Sequence, residues 1–74
     1  MPSFKDKVEF PDCECIEESR WPAGDLKAIR VAGVKEELVW FPYSTVDDDS
    51  EVWKVGTKGT LIISEWIAKE KKLI

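Results

Sequence analysis

The chain has no histidine, only two cysteines and no apolar run long enough to cross a membrane. Without histidine it lacks the side chain that serves most often as a general base and as a metal ligand. A membrane-spanning helix needs about 20 apolar residues, and residues 1–7 lack the apolar core of a secretion signal. We therefore expect a cytosolic protein with no membrane segment.

The length and composition predict one small globular domain over residues 1–74. Hydrophobic residues make up 43% of the chain and charged residues 35%, a balance that is typical of a folded domain. Eleven basic residues stand against fifteen acidic ones, for a net charge of −4. Non-specific nucleic-acid binding depends on lysines and arginines that replace counterions, so this net charge opposes it.

The two cysteines are predicted to be free thiols. Cys13 and Cys15 are one residue apart, so on a strand both side chains point to the same face. A disulfide between them would close almost no loop and would stabilise little. A zinc site needs four ligands and the chain offers only this pair, so we expect the thiols to pack against the core.

Apolar patterning predicts mostly strands. Residues 8–18 read as a strand interrupted at Pro11, which cannot donate to a sheet ladder and therefore belongs at an edge or a bulge. Residues 26–31 alternate, and residues 38–43 form a second apolar run that suggests a hairpin with them. Further short strands are expected at 52–55 and 60–63, before a helix over 64–74 with Ser64 as its N-cap. Residues 1–7 are expected to be a flexible or edge segment.

The predicted fold class is mainly β. We expect a small curved antiparallel sheet, or an SH3-like or OB-like barrel, of four to five strands with one C-terminal helix. The expected core consists of apolar residues from the predicted strands at 26–31, 38–43 and 60–63 and from the helix: Ile29, Val31, Val39, Trp40, Leu61, Ile63, Trp66 and Ile67.

Three short motifs suggest chemistry that their context does not support. Asp47, Asp49 and Glu51 repeat the first ligand offsets of an EF-hand loop, but the required glycine and the final glutamate are missing. The stretch from Gly56 to Gly59 copies a KH-type clamp without the flanking helices, and it lacks the ending of a phosphate-binding loop. No serine lies in a nucleophile-elbow pattern. We expect no catalytic residue, no cofactor and no metal, and hence no enzyme activity.

Aromatic residues are the most informative feature of the sequence. Four tryptophans, three phenylalanines and one tyrosine exceed what the core of so small a domain can cover. We expect Phe41 and Tyr43 to share a strand face and, with Trp53, to supply partner contacts. An acidic loop would steer the partner electrostatically. The predicted partner-binding residues are Phe41, Tyr43, Trp53, Asp47, Asp48, Asp49 and Glu51.

Several short segments from residue 26 onward form a recognisable pattern: residues 40–44, 48–52 and 64–68, together with Gly56, residues 59–61 and residues 73–74. In these segments the chain resembles a group of small bacteriophage- and prophage-encoded proteins. Members of that group usually have isoleucine where Phe41 stands and a basic residue where Tyr43 stands. The resemblance implies a phage accessory protein and assigns no catalytic residue.

The resulting hypothesis is non-enzymatic binding to a host protein, as an inhibitor of a host defence or nucleic-acid enzyme. One alternative is a single-strand nucleic-acid module that stacks bases on the aromatics. In that case Lys27, Arg30, Lys54 and Lys58 would form a basic patch beneath the phosphates. A second alternative is a small metal-binding protein. The sequence leaves the oligomeric state open.

Overall fold

Four antiparallel strands and a short helix make up the fold. The computed structural model describes residues 6–74. In chain order, the elements are β1 (Lys7–Arg20), β2 (Leu26–Ala32), β3 (Val39–Pro42), a 3₁₀ turn (Tyr43–Thr45), β4 (Lys58–Ser64) and α1 (Glu65–Glu70). The strands lie in the order β3-β2-β1-β4, and every neighbouring pair is antiparallel.

The predicted mainly-β class with a C-terminal helix is confirmed, and the sheet is open. β3 and β4 are its two terminal strands, so the barrel alternative is not adopted. The chain leaving β3 does reach the other side of the sheet, where Val46 forms one isolated antiparallel bridge with Ile63 of β4. A single bridge connects this segment to β4 without closing the sheet.

β1 is continuous through Pro11 and is bulged there. Its register with β4 shifts between Phe10 and Cys13, and Asp12 at this shift has a φ of 56°. Pro11 therefore lies at a bulge, one of the two places the sequence predicted for it. Gly33 lies against the bulge, because a Cβ there would stand 2.6 Å from the backbone oxygen of Asp12. This close approach, together with its φ of 105°, requires glycine.

The core lies between the inner face of the sheet, α1 and the segment that follows β3. Six of the predicted core residues are buried, and the inner face also buries Phe41 with both cysteines. Trp66 was predicted to be in the core and this is wrong, because its side chain is 57% exposed. The full buried apolar cluster is Cys13, Cys15, Ile29, Val31, Val39, Phe41, Val46, Val52, Leu61, Ile63, Ile67 and Ala68.

The helix is shorter than the sequence predicted. It ends at Glu70 because Lys72 adopts a φ of 60°, and the backbone N–H of Leu73 then donates to the carbonyl of Ala68 at 2.8 Å. This is the Schellman arrangement, which turns Leu73 back against the core. Ser64 precedes the helix as predicted, but its hydroxyl makes no capping hydrogen bond.

Two other predicted elements differ from the structure. Residues 52–55 form no regular strand, although Val52 is fully buried. The predicted flexible or edge segment 1–7 lies mostly outside the described residues, and of its members Lys7 begins β1 opposite Ser64. Within residues 6–74, no helix has the length and apolar character needed to cross a membrane.

Candidate functional site

The acidic segment, defined here as residues 47–51, is built into the sheet edge. Asp47 is fully buried, and its Oδ1 accepts a hydrogen bond from the backbone N–H of Asp49 at 2.9 Å. The backbone N–H of Asp47 donates to the carbonyl of Ile62 in β4 at 2.8 Å. Lys7 Nζ lies 3.7 Å from Asp47 Oδ2 and 3.9 Å from Asp49 Oδ2. These contacts fix the segment in place.

Ser50 and Glu51 complete the pairing with β4. Ser50 Oγ accepts from the backbone N–H groups of Ile62, at 3.1 Å, and of Val52, at 3.3 Å. The N–H of Thr60 donates to Glu51 Oε1 at 2.8 Å, and the N–H of Glu51 donates to the carbonyl of Thr60 at 3.0 Å. The segment thus satisfies backbone groups that a terminal strand would otherwise leave open.

This arrangement corrects part of the predicted binding surface. Asp47 cannot steer a partner because it is buried, and Glu51 is bonded to β4. The EF-hand-like spacing therefore has a structural explanation, since two of its three carboxylates accept backbone hydrogen bonds. In the described part of the chain, no three potential metal-ligating side chains come together. Asp48 and Asp49 are exposed, and Asp49 lies 3.9 Å from Lys7 Nζ.

Phe41 was predicted to be a surface contact, and this is wrong. It pairs with Ile29 in the register of β2 and β3, while Trp40 pairs with Arg30. Residues directly opposite each other share a face, so Phe41 joins Ile29 in the core and Trp40 points outward with Arg30. Phe41 is fully buried and Trp40 is 37% exposed. The predicted core position of Trp40 is therefore also wrong.

Trp53 and Tyr43 are both half-buried against the core, in different places. Tyr43 opens the 3₁₀ turn that follows β3, so it does not continue the strand face of Phe41. The backbone N–H of Trp53 donates to Thr57 Oγ1 at 3.0 Å, and Lys54 Nζ lies 4.7 Å from the centre of its ring. Trp53 thus covers the core beside the turn at residues 54–57.

An apolar groove lies at one end of the outer sheet face. It has a volume of about 450 Å³, and we call it the aromatic groove; its lining residues are Trp21, Leu26, Lys27, Ala28, Pro42, Tyr43 and Ser44. Ala28 and Pro42 are directly opposite each other in the β2–β3 register and form its floor. Trp21 approaches from the β1–β2 turn and Tyr43 from the end of β3.

The turn that carries Trp21 is held by several hydrogen bonds. The N–H of Trp21 donates to the carbonyl of Asp25 at 2.9 Å, and the N–H of Gly24 donates to the carbonyl of Trp21 at 2.8 Å. Arg20 bonds the carbonyl of Gly24 at 2.6 Å and Glu18 Oε1 at 2.8 Å. Trp21 nevertheless remains 52% exposed, with Lys27 Nζ 4.7 Å from its ring centre. The groove therefore presents a positioned aromatic side chain to solvent.

A carboxylate and a guanidinium group both lie near Tyr43, at one end of the groove, and shift its pKa in opposite directions. Burial raises the pKa of the Tyr43 hydroxyl, and the nearby Asp48 carboxylate raises this pKa further, while Arg20 acts in the opposite direction. The hydroxyl is therefore neutral at physiological pH and can donate a hydrogen bond.

The basic residues singled out in the sequence lie on different elements and have different neighbours. Lys27 and Arg30 lie on β2, where Lys27 stands over Trp21 and Arg30 is bonded to Glu17 at 3.0 Å. Arg30 also lies 5.9 Å from the ring centre of Trp40. Lys54 stands over Trp53, beyond the far side of β1, and Lys58 begins β4.

The two cysteines are buried free thiols on one face of β1, as predicted. Burial raises the pKa of both thiols, and hydrogen bonds only partly oppose this shift. A thiol with a raised pKa is protonated at neutral pH and is a poor nucleophile and a poor metal ligand. Their role in this structure is packing.

Comparisons of the chain with family models, curated proteins and solved structures found no match. Of the residues that line the groove, the sequence predicted Tyr43 as a partner contact and did not single out Trp21 for that role. The available signal was the turn sequence around Trp21: an aromatic residue between Arg20 and Pro22 belongs to no strand face that could bury it. The pairing of Ala28 with Pro42, which forms the groove floor, needed the strand register.

Proposed function

We propose that this protein is a non-enzymatic binding module and that its ligand is another protein. The observation that carries the proposal is the aromatic groove, where a half-exposed tryptophan and a half-buried tyrosine flank a floor of small apolar residues. Tryptophan and tyrosine contribute most to binding energy at protein interfaces, particularly where they surround a pocket that excludes water. The buried Phe41, by contrast, packs in the core and presents no surface to a ligand.

The charge distribution supports a protein ligand over nucleic acid. The net charge is −4, and the cations closest to the groove are engaged by a carboxylate or an aromatic ring. Phosphate binding would have to compete with the Arg20–Glu18 and Arg30–Glu17 contacts. A partner with a basic surface would instead be attracted by the exposed Asp48 and Asp49.

The resemblance to small phage-encoded proteins supports a host protein as the partner, such as a defence enzyme or a nucleic-acid enzyme. Inhibition would follow if the groove covered a surface that the host enzyme needs. The absence of enzyme activity is part of the same proposal, and it is supported by the burial of both thiols and the backbone bonds of Asp47 and Glu51.

A matched pair of tryptophan variants tests the proposal. Wild-type protein, Trp21→Ala and Trp66→Ala are immobilised and exposed to a bacterial lysate, and each retained protein is then purified and titrated. Both tryptophans are more than half exposed, but Trp66 lies on α1, away from the groove. We expect Trp21→Ala to weaken binding by about tenfold or more and Trp66→Ala to leave the affinity unchanged.

Two results would contradict the proposal. Equal affinities for wild type and Trp21→Ala would remove the groove from the interface. Tight oligonucleotide binding that is strongly salt-dependent and lost in Tyr43→Ala would show that the same aromatics serve nucleic acid.

A further inference from the structure

We propose that the outer edge of β3 pairs with the same edge of a second copy of this chain, in an antiparallel dimer with two-fold symmetry. This inference goes beyond the proposed function, because it concerns the assembly that presents the aromatic groove. The supporting observations are an uncovered strand edge, the lack of charge along it and the exposed apolar side chains beside it.

The two edges of the sheet differ in what covers them. At β4, the backbone groups of Thr60 and Ile62 are bonded to the acidic segment. At β3, no strand within residues 6–74 pairs with the outer edge. An open edge presents a row of backbone N–H and C=O groups with which another strand can pair. Because only one edge of the described sheet is open, the pairing of two copies closes into a dimer and does not continue into a fibre.

The β3 edge lacks the charged side chains that commonly protect such edges. Residues 38–46 contain no charged residue, whereas natural edge strands often carry lysine or another charge that prevents pairing. Trp40 is 37% exposed on the outer face, and Leu38 is 38% exposed. Side chains alternate between the faces of a strand, so Leu38 belongs to the same face as Trp40. A second strand beside β3 would therefore cover apolar surface.

Symmetry restricts the register of the two β3 strands. A continuous sheet keeps both buried faces on the same side, so residues directly opposite each other must share a face. In a two-fold pair this places either Trp40 opposite Trp40 or Phe41 opposite Phe41. The first register pairs residues 38–42, whereas the second is limited to residues 40–42, because Tyr43 belongs to the 3₁₀ turn. We therefore expect the two Trp40 residues to be opposite each other.

This register suits the residues at the ends of the pairing. Pro42 lacks an N–H, and at the end of the paired stretch it removes at most one hydrogen bond. Glu37 would lie opposite Tyr43, so no two carboxylates of the two copies face each other along residues 37–43. Leu38 of the second copy would lie beside Pro42 and form a further apolar wall of the aromatic groove. The second copy thus contributes a residue to the proposed binding site.

Charges placed at the centre of the pairing test the inference. Wild type, Trp40→Asp, Trp40→Lys and Trp66→Asp are studied by analytical ultracentrifugation between about 1 μM and about 1 mM, after circular dichroism has shown that each is folded. We expect wild type and Trp66→Asp to dimerise equally well. Each Trp40 variant alone should dimerise at least about tenfold more weakly, because like charges would be directly opposite each other. An equimolar mixture of Trp40→Asp and Trp40→Lys should regain the dimer, since opposite charges then meet.

Three results would overturn the inference. Wild type that stays monomeric over the whole concentration range would show that the β3 edge does not self-associate. A dimer that Trp40→Asp leaves intact, or that Trp66→Asp weakens as much, would place the interface elsewhere. A mixture that stays as weakly associated as its two components would show that the Trp40 residues do not face each other. The proposed function is tested separately by partner binding to Trp21→Ala, so either proposal can fail without the other.

Discussion

The acidic segment and the aromatic groove both contain residues that the sequence predicted as partner contacts, and they differ in how strongly the fold engages their side chains. The acidic segment is bonded to the backbone of β4 and covers the edge of the sheet. In the groove, Tyr43 packs against the core, whereas Trp21 is half exposed. A run of carboxylates can thus be a structural element, while a tryptophan in a turn can be the residue left available for a partner.

The largest expected effect is a difference in stability between substitutions at two adjacent residues of β3, one in the core and one on the surface. Phe41→Ala should lower the free energy of unfolding by about 3–5 kcal/mol, because it leaves a cavity at a fully buried site. Trp40→Ala should lower it by less than about 1.5 kcal/mol, since the ring lies on the outer face of the sheet and is partly exposed. Urea unfolding monitored by circular dichroism measures both. Similar losses at the two positions would contradict the assignment of faces on β3.

The next effect tests whether the acidic segment is structural. Ser50→Ala should lower the free energy of unfolding by about 2 kcal/mol, because the buried N–H groups of Ile62 and Val52 lose their acceptor. Asp49→Asn is the matched control within the same segment, and we expect a change below about 0.5 kcal/mol there because that side chain is exposed. If Ser50→Ala lowered the free energy of unfolding no more than Asp49→Asn does, the acidic segment would not be stabilising the edge strand β4.

In the groove, we expect a substitution that weakens binding to leave the stability of the fold nearly unchanged. Trp21→Ala should cost less than about 1 kcal/mol of unfolding free energy, because the turn is held by backbone bonds and by Arg20 and not by the ring. Chemical unfolding of Trp21→Ala and Trp66→Ala under the same conditions gives the comparison. A loss for Trp21→Ala as large as that for Ser50→Ala would mean that the groove belongs to the core.

The smallest expected effect is a pH dependence of the turn that carries Trp21. The hydrogen bond from Arg20 lowers the pKa of Glu18, and the bond from the N–H of Val55 lowers it further. Because this pKa is lower in the folded state, the stabilisation is fully present above the ordinary range of glutamate and is lost as the pH falls through the folded-state pKa.

Glu18→Gln should therefore be less stable than wild type near neutral pH, with a difference that shrinks as the pH falls from about 5 to about 3. Urea unfolding of both proteins across that range measures the difference. A difference that grows toward low pH would reverse the sign of the argument.

Much of the fold follows from local signals in the sequence. The alternation in residues 26–31, the β-branched run at 60–63 and the spacing of Cys13 and Cys15 each place side chains on the correct face. These signals succeed because a strand with one buried face needs a period of two. The same rule could have placed Trp40 outside, since Val39 and Trp40 are adjacent and cannot both face inward.

The candidate site was harder to predict because it depends on contacts between distant parts of the chain. Nothing local to the acidic segment indicates that Ser50 and Glu51 meet Ile62 and Thr60. Likewise, the groove floor exists only because Ala28 and Pro42 are opposite each other in the register. Trp66 was misplaced because the helix turns Ile67 and Ala68 toward the core, which leaves the adjacent Trp66 exposed.

The central claim, that the groove binds and the acidic segment supports the fold, is tested most directly by a nuclear magnetic resonance titration. ¹⁵N-labelled protein is titrated with the partner protein retained by the immobilised wild type, and backbone and tryptophan indole resonances are followed. The account predicts that the largest shifts fall on Trp21, Ala28 and Tyr43, while the indole of Trp66 and the amides of Thr60 and Ile62 stay in place. Shifts centred on residues 47–51 or on Trp66, with Trp21 unaffected, would contradict it.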